Sequence, residues 1–378
     1  MIFSLEALQA DAGDALILHY GDDHGRSLSV IDGGPTGIYT RSLKPRLDEL
    51  RAQTGPDPLP IELLLISHLD DDHIHGIVDL LDALAERQAD NTELPYRIGD
   101  LWHNSFADIA KEKPGDLSLG AEALERTVDA DAAAVIASVG QGVEVRTLAE
   151  QLALRVNVPF GELVTFRGPE ASTTTLAHGL KVHVLAPSQR RVDDLRERWH
   201  RERQKSRDAA KALAAAFEDR SVFNLSSIVT LCELGDRKML LTGDARGDDI
   251  LDGLKEAGFL GDEPLALDLL KVPHHGSDRN VTTDFFRCLP AQHYVISADG
   301  KHDNPETSTL KMIMAARGNA PYTIHLTNRT GKGDLEARLG ELLTKLEADG
   351  QQDRLAFRAN DELSLRVDLG DPLEDRPT

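Results

Sequence analysis

Residues 67–76 read SHLDDDHIHG, which places His68, Asp70, Asp72 and His73 within six positions. Carboxylates and imidazoles at that density oppose one another unless something positive sits among them. Imidazole nitrogen together with carboxylate oxygen suits first-row divalent ions. His68 and Asp70 share a side by a period of two, while Asp72 and His73 point elsewhere. One loop can therefore offer two pairs of ligands to two different ions. Two ions about 3.5–4 Å apart need an anionic bridge and hold a water between them. Asp244, at the end of the apolar run MLLTGD, is the candidate bridge. The expected first ion takes His68, Asp70 and Asp244. The second takes Asp72, His73 and one histidine of PHHGS, either His274 or His275.

A metal pair that shares a water suits phosphodiester hydrolysis, because the ions lower the pKa of the water and neutralise the charge that builds up in the transition state. In that chemistry Asp72 orients the water or takes its proton. His275, Ser277 and His302 are candidates for phosphate contact or for protonating the leaving group. Asp70 adds a hard oxygen donor and a negative charge, so the expected cofactor is two divalent ions per chain, zinc or manganese.

Such a site needs rigid elements to hold it. The run IELLLIS before the loop is uninterrupted apolar sequence of strand length, as in a strand buried on both faces. An apolar-periodic helix is expected from about Ile77 to Glu86. The segments DALILHY, SLSVID, LKVHVLA, SSIVTLCEL, KMLLTGD, ALDLLKV, HYVIS and YTIHL read as further strands that end in polar clusters. Residues 355–368 predict a terminal hairpin, and the acidic tail 370–378 predicts disorder. The middle, about 87–220, is mostly helical in pattern. From Arg190 to Lys211 it carries nine Lys and Arg against five Asp and Glu. That stretch reads first as a solvated helix laced with ion pairs. A lid facing nucleic acid or phosphate is the alternative.

The chain of 378 residues has a net charge of −22, which argues against a surface built mainly for nucleic acid. Its two cysteines, Cys232 and Cys288, exclude a disulfide framework and a Cys-rich zinc site. With no signal-peptide pattern at the N-terminus and no apolar run of about twenty residues, the expected location is cytoplasmic, without membrane association.

The loop His68-x-Asp70-x-Asp72-His73 resembles the signature of the metallo-β-lactamase superfamily, with aspartate in place of the second histidine. That variant looks like the soluble metallo-β-lactamase-like domain of the competence channel protein ComEC and its stand-alone relatives. GDALILHY with SVIDGG, NLSSIVTL with MLLTGDA, LLKVPHHGS, and VISADGKHDNPE are similar to later motifs of the same family, in the same order. They lie within 1–83 and 221–330. The resemblance implies a four-layer αββα sandwich of α/β class, spanning 1–369 as one domain with a helical insertion at about 87–220. It implies His274 as the ligand from PHHGS, with His275 toward the substrate. It also implies a third histidine on the first ion, expected to be His103, with His178 and His183 as alternatives. His302 departs from the pattern, since two residues separate it from the following proline. Asp14, where the first strands turn toward the site, reads as structural. The implied activity is that of a phosphodiesterase or nuclease, acting on DNA or a small nucleotide. Two alternatives are hydrolysis of a lactone, thioester or amide, and a non-catalytic, metal-stabilised regulatory protein that binds a protein partner through the helical insertion.

Overall fold

The strand Leu59–Leu65 shows why its sequence is apolar at nearly every position. Leu63 and Leu65 enter one core, while Ile61 and Leu64 enter another on the opposite face. A strand covered on both sides cannot alternate polar with apolar. The computed structural model describes residues 1–22, 24–54, 57–112, 130–205 and 226–372. The basic-stretch residues 206–211 and the tail residues 373–378 lie outside that set.

Six strands form the first sheet: β1 (Ile2–Leu8), β2 (Ala15–Asp22), β3 (Gly25–Gly33), β4 (Leu59–Leu65), β5 (Tyr96–Trp102) and β14 (Ser364–Asp368). Their order is β14-β1-β2-β3-β4-β5, antiparallel up to β3 and parallel from β3 to β5. The second sheet holds β6 (Thr173–Thr175), β7 (Lys181–Ala186), β8 (Val229–Leu234), β9 (Arg237–Leu241), β10 (Leu267–Lys271), β11 (Ala291–Ile296), β12 (Thr323–Leu326) and β13 (Leu355–Phe357). It runs β13-β12-β11-β10-β9-β8-β7-β6, parallel from β13 to β9 and antiparallel beyond.

Between the sheets, Phe3, Leu5, Leu18 and Trp102 meet Val184, Met239, Leu269 and Val295. Outside the first sheet lie α1 (Lys44–Thr54), α2 (Asp71–Ala89), α3 (Phe106–Ala110), α4 (Ala130–Gln151) and α5 (Gln189–Lys205). Outside the second lie α6 (Gly247–Glu256), α7 (Thr283–Cys288), α8 (Thr307–Arg317) and α9 (Leu335–Ala348). The result is the expected helix–sheet–sheet–helix sandwich. Helix α2 illustrates what holds a layer on. Ile74, Ile77, Leu80, Leu81 and Leu84 recur at helical spacing and are all buried. Their burial is worth on the order of 10 kcal/mol before chain entropy is set against it.

Two expectations change. Residues 355–368 are no hairpin: β13 extends the second sheet beside β12, and β14 extends the first beside β1. Each strand covers an edge that would otherwise present unpaired backbone groups. Helix α2 begins at Asp71 rather than near Ile77, so Asp72 and His73 belong to its first turn. Carboxylates are favoured at that end, where unpaired N–H groups and the helix dipole leave partial positive charge.

The stretch at about 87–220 is only partly helical. It supplies β5 to one sheet and β6 and β7 to the other, and its described helices pack on the outer face of the first sheet. Phe106 and Trp199 meet edge to face at 5.3 Å, joining α3 to α5. Within α5, Arg190, Arg196 and Lys205 pair with Asp194, Asp193 and Glu202, while Arg191 reaches across to Asp249 of α6. Among the described residues, no helix is long and apolar enough to cross a membrane.

Candidate metal centre

The strand ends of β4, β9 and β10 meet at one edge of the sandwich. After β4 the chain runs through Ser67 and His68 outside regular structure, and Asp70 forms the N-cap of α2. Gly33 and Gly76 let that helix approach β3, since a Cβ on Gly76 would lie 2.0 Å from Gly33 O. Ser67 is fixed by Asp32, whose Oδ1 accepts from Ser67 N at 2.7 Å and whose Oδ2 accepts from Ser67 Oγ at 2.6 Å. Asp32 itself takes a left-handed backbone, φ 59°. From the other sheet, Asp244 follows β9, and the turn Pro273–Gly276 follows β10. His274 and His275 both adopt left-handed φ, 49° and 53°. Such backbone costs roughly 1–3 kcal/mol per residue and persists only where its surroundings impose it.

Asp244 lies at the centre, 2% exposed, with its two oxygens facing opposite ways. Oδ1 is 3.3 Å from His73 Nε2 and 3.5 Å from His275 Nε2. Oδ2 is 3.7 Å from His68 Nε2 and 3.6 Å from His274 Nε2. Asp72 flanks the first side, with Oδ2 3.5 Å from His275 Nε2 and Oδ1 3.9 Å from His73 Nε2. Asp70 Oδ2 flanks the second, 3.8 Å from His68 Nε2.

All four imidazoles are oriented alike, by their Nδ1 atoms. His73 Nδ1 donates to Asp32 Oδ2 at 2.8 Å, and His68 Nδ1 lies 3.0 Å from Ser67 Oγ, which is committed as a donor to Asp32. His275 Nδ1 donates to Ser297 O at 2.9 Å, and His274 Nδ1 to Asn280 Oδ1 at 2.8 Å. With Nδ1 protonated in each, the Nε2 lone pairs are left facing the centre. This is the usual way in which a protein prepares histidines for metal.

The charges point the same way. Burial opposes ionisation of Asp244, yet His275, His73, His274 and His68 hold its carboxyl well below the ordinary range. Burial likewise opposes ionisation of Asp72, and His73 and His275 overcome it. Burial works against charge on His73 and His275 too. Asp244, Asp32 and Asp72 nevertheless raise His73 well above its usual value, and Asp244 and Asp14 hold His275 at about 10. His68 is pushed down to about 3 by burial and then by His73. Without a metal, His73 Nε2 and His275 Nε2 share one hydrogen across 3.1 Å beside the acids, and a divalent ion displaces such a proton. His68 Nε2 is buried with no hydrogen-bond partner among the described residues, although it faces the cluster. An orphaned imidazole nitrogen beside ionised carboxylates fits a metal ion.

Among the described residues, two groups have donor atoms mutually within 4.8 Å: Asp14, His73, Asp244 and His275, and His68, Asp72 and His73. The PHHGS histidines lie otherwise than the expected placing of His274 beside Asp72 and His73. His275, 3% exposed, lies with Asp72 and His73, while His274, 32% exposed, lies on the side of His68. Consecutive left-handed residues turn the two rings to opposite oxygens of Asp244, which spacing cannot reveal. His103 belongs to neither group; its Nε2 is beside Gly142 of α4, and burial lowers its pKa to about 4. His178 lies against Gly25, and His183 bonds Thr173 and Glu233 on its own sheet. His302 is exposed on the turn Lys301–Asp303 and joins neither group. Ser277 Oγ bonds Glu306 at 3.4 Å. Asp14, read from the sequence as structural, lies in the first of these groups, and sequence reasoning missed Lys271, whose Nζ is 2.6 Å from it. Lys271 is a fully buried lysine in an apolar strand, and that combination was the available signal.

Residues 16–151 match the family model described as the metallo-beta-lactamase superfamily, whose members are mostly metal-dependent hydrolases. No curated protein matches the chain. The matched segment contains the loop with His68, Asp70, Asp72 and His73, and the two-sheet sandwich is consistent with that family's fold. Residues 16–151 therefore carry a metallo-beta-lactamase superfamily domain, and the chain's buried His/Asp cluster could bind metal.

Proposed function

We propose that this chain is a two-metal phosphodiesterase of the ComEC-like type. The observation that carries the reading is the position of Asp244, with two imidazole Nε2 atoms near each carboxylate oxygen. Asp244 Oδ2, His68, Asp70 and His274 would hold one ion. Asp244 Oδ1, Asp72, His73 and His275 would hold the other. Three carboxylates in the set favour manganese or a site tolerant of zinc and manganese. When bound, the ions supply a water of lowered pKa and neutralise charge on the phosphate.

The chain's own residues do the rest. Asp72, whose side chain is 29% exposed, is on the open side and takes the proton of the attacking water. His275 is too buried to touch a substrate, so its role is to hold metal. His302, exposed on the turn whose Asn304 donates to His274 O at 3.4 Å, is the candidate contact for phosphate or leaving group. The ion pairs along α5 occupy much of its basic charge, and the net charge of −22 disfavours long polyanions. Both support a small nucleotide over long DNA.

Metal content measured on protein purified without added metal tests this reading, beside an Asp244→Ala, His274→Ala variant. Both samples are then given manganese and a bis-nitrophenyl phosphodiester, a small cyclic nucleotide, DNA, a lactone and a thioester. About two ions per chain, with phosphodiester cleavage lost in the variant, is the expected result. Cleavage of the lactone or thioester alone would replace the substrate class, and no metal with no turnover would overturn the reading.

A further inference from the structure

Lys271, at the end of β10, is fully buried, and its Nζ lies 2.6 Å from Asp14 Oδ2. Both side chains are 1% exposed. Removing a lysine and an aspartate from water is costly, and apolar replacements of such pairs are often as stable or more so. Stability alone is therefore a poor reason for this pair, and its surroundings suggest another.

Asp14 stands behind the metal centre. Its Oδ1 is 3.7 Å from His275 Nδ1, and its Oδ2 is 4.0 Å from His73 Nδ1. Those are the ring faces turned away from Asp244. The backbone around Asp14 reaches the same two elements. Asp14 N donates to Asp72 O at 3.1 Å, and Gly13 O accepts from Ser297 Oγ at 2.5 Å. Ser297 O in turn accepts from His275 Nδ1. A side chain at position 13 is impossible, since its Cβ would lie 1.9 Å from Asp72 O. Lys271 extends the connection into the second sheet. Its Nζ donates to Val272 O at 3.2 Å, and its own carbonyl accepts from Thr242 Oγ1 at 2.7 Å, two residues before Asp244.

We propose that the Asp14–Lys271 ion pair is a positioning unit of the metal centre. It locks the ligands of the first sheet, Asp72 and His73, in register with His275 of the second, and sets a carboxylate behind both rings. The negative charge of Asp14 makes the two imidazoles better donors, and Lys271 keeps Asp14 from swinging round to the ions itself. The proposal rests on the metal-centre reading but not on the substrate.

The test is metal affinity, measured by chelator competition with manganese and with zinc. Wild type is compared with an Asp14→Asn, Lys271→Met variant, with metal-free melting recorded alongside. The double variant removes both charges, so no lone buried ion is left. The expected result is a folded variant whose metal dissociation constant is weaker by about 10–100-fold. Wild-type affinity in the folded variant would overturn the proposal, whatever its melting temperature. If that double variant does not fold, Asp14→Asn, Lys271→Gln, which also leaves no buried charge, is judged by the same criterion. A wild-type chain that takes up no metal would remove the centre and this role with it. A chain that binds metal but cleaves no phosphodiester would leave the proposal standing.

Discussion

His73 donates its Nδ1 hydrogen to Asp32 Oδ2 across 2.8 Å, and that bond decides which nitrogen faces Asp244. Asp32→Asn would weaken the acceptor and release the tautomer. Asparagine tolerates the left-handed backbone at this position, so the fold should survive. Metal affinity should fall by about 10–100-fold, with little change in the melting of the metal-free chain. Chelator competition on both proteins checks this.

Asp244 serves both sides of the centre, so Asp244→Ala should lose both ions together and not one. Turnover should fall by at least about 100-fold, in line with loss of a metal-generated nucleophile. Mass-spectrometric metal counting on the folded variant is decisive. A variant that keeps one tightly held ion would show that Asp244 does not bridge.

His103 and His274 give opposite expectations. His103→Leu should leave metal content unchanged, because its ring faces Gly142 outside both donor groups. His274→Ala should lower the metal count by about one and spare the ion beside His275. Equal metal loss in the two variants would restore His103 as a ligand.

A pH effect should arise far from the metal site. His293 Nδ1 and His325 Nε2 lie 3.0 Å apart between adjacent strands of the second sheet. Burial, and then His293, lowers the pKa of His325 from its ordinary value of about 6.5 to about 4. The folded chain thus binds fewer protons than the unfolded one between those values. The resulting stability is present above about pH 6.5 and is lost as pH falls toward about 4. His325→Gln should flatten the difference in unfolding free energy between pH 7 and pH 5. Denaturant titrations of both proteins in chelator measure it, and an unchanged slope would refute the assignment.

The sequence by itself determined the donor residue types and the class of fold. Donor residues in the loop 67–76, the aspartate after MLLTG and the PHHGS pair were legible because each follows an apolar strand, and strand ends converge at an edge of a sandwich. The buried strand β4 was legible because a strand covered on both faces must be apolar throughout. Tertiary structure alone decided which donor stands beside which. His274 and His275 separate through two left-handed residues, a backbone choice imposed by Gly243, Asn280 and Ser297 from other segments. His103 was plausible by its place in the chain, but α4 packed against it from the far side. The supposed hairpin at 355–368 was divided between two sheets by the need to cover two open edges. Asp14 and Lys271 are 257 positions apart by number, and only the closing of one sheet on the other makes them a pair. Local sequence carries propensity and donor chemistry; long-range packing sets distance and orientation, and those assemble the site.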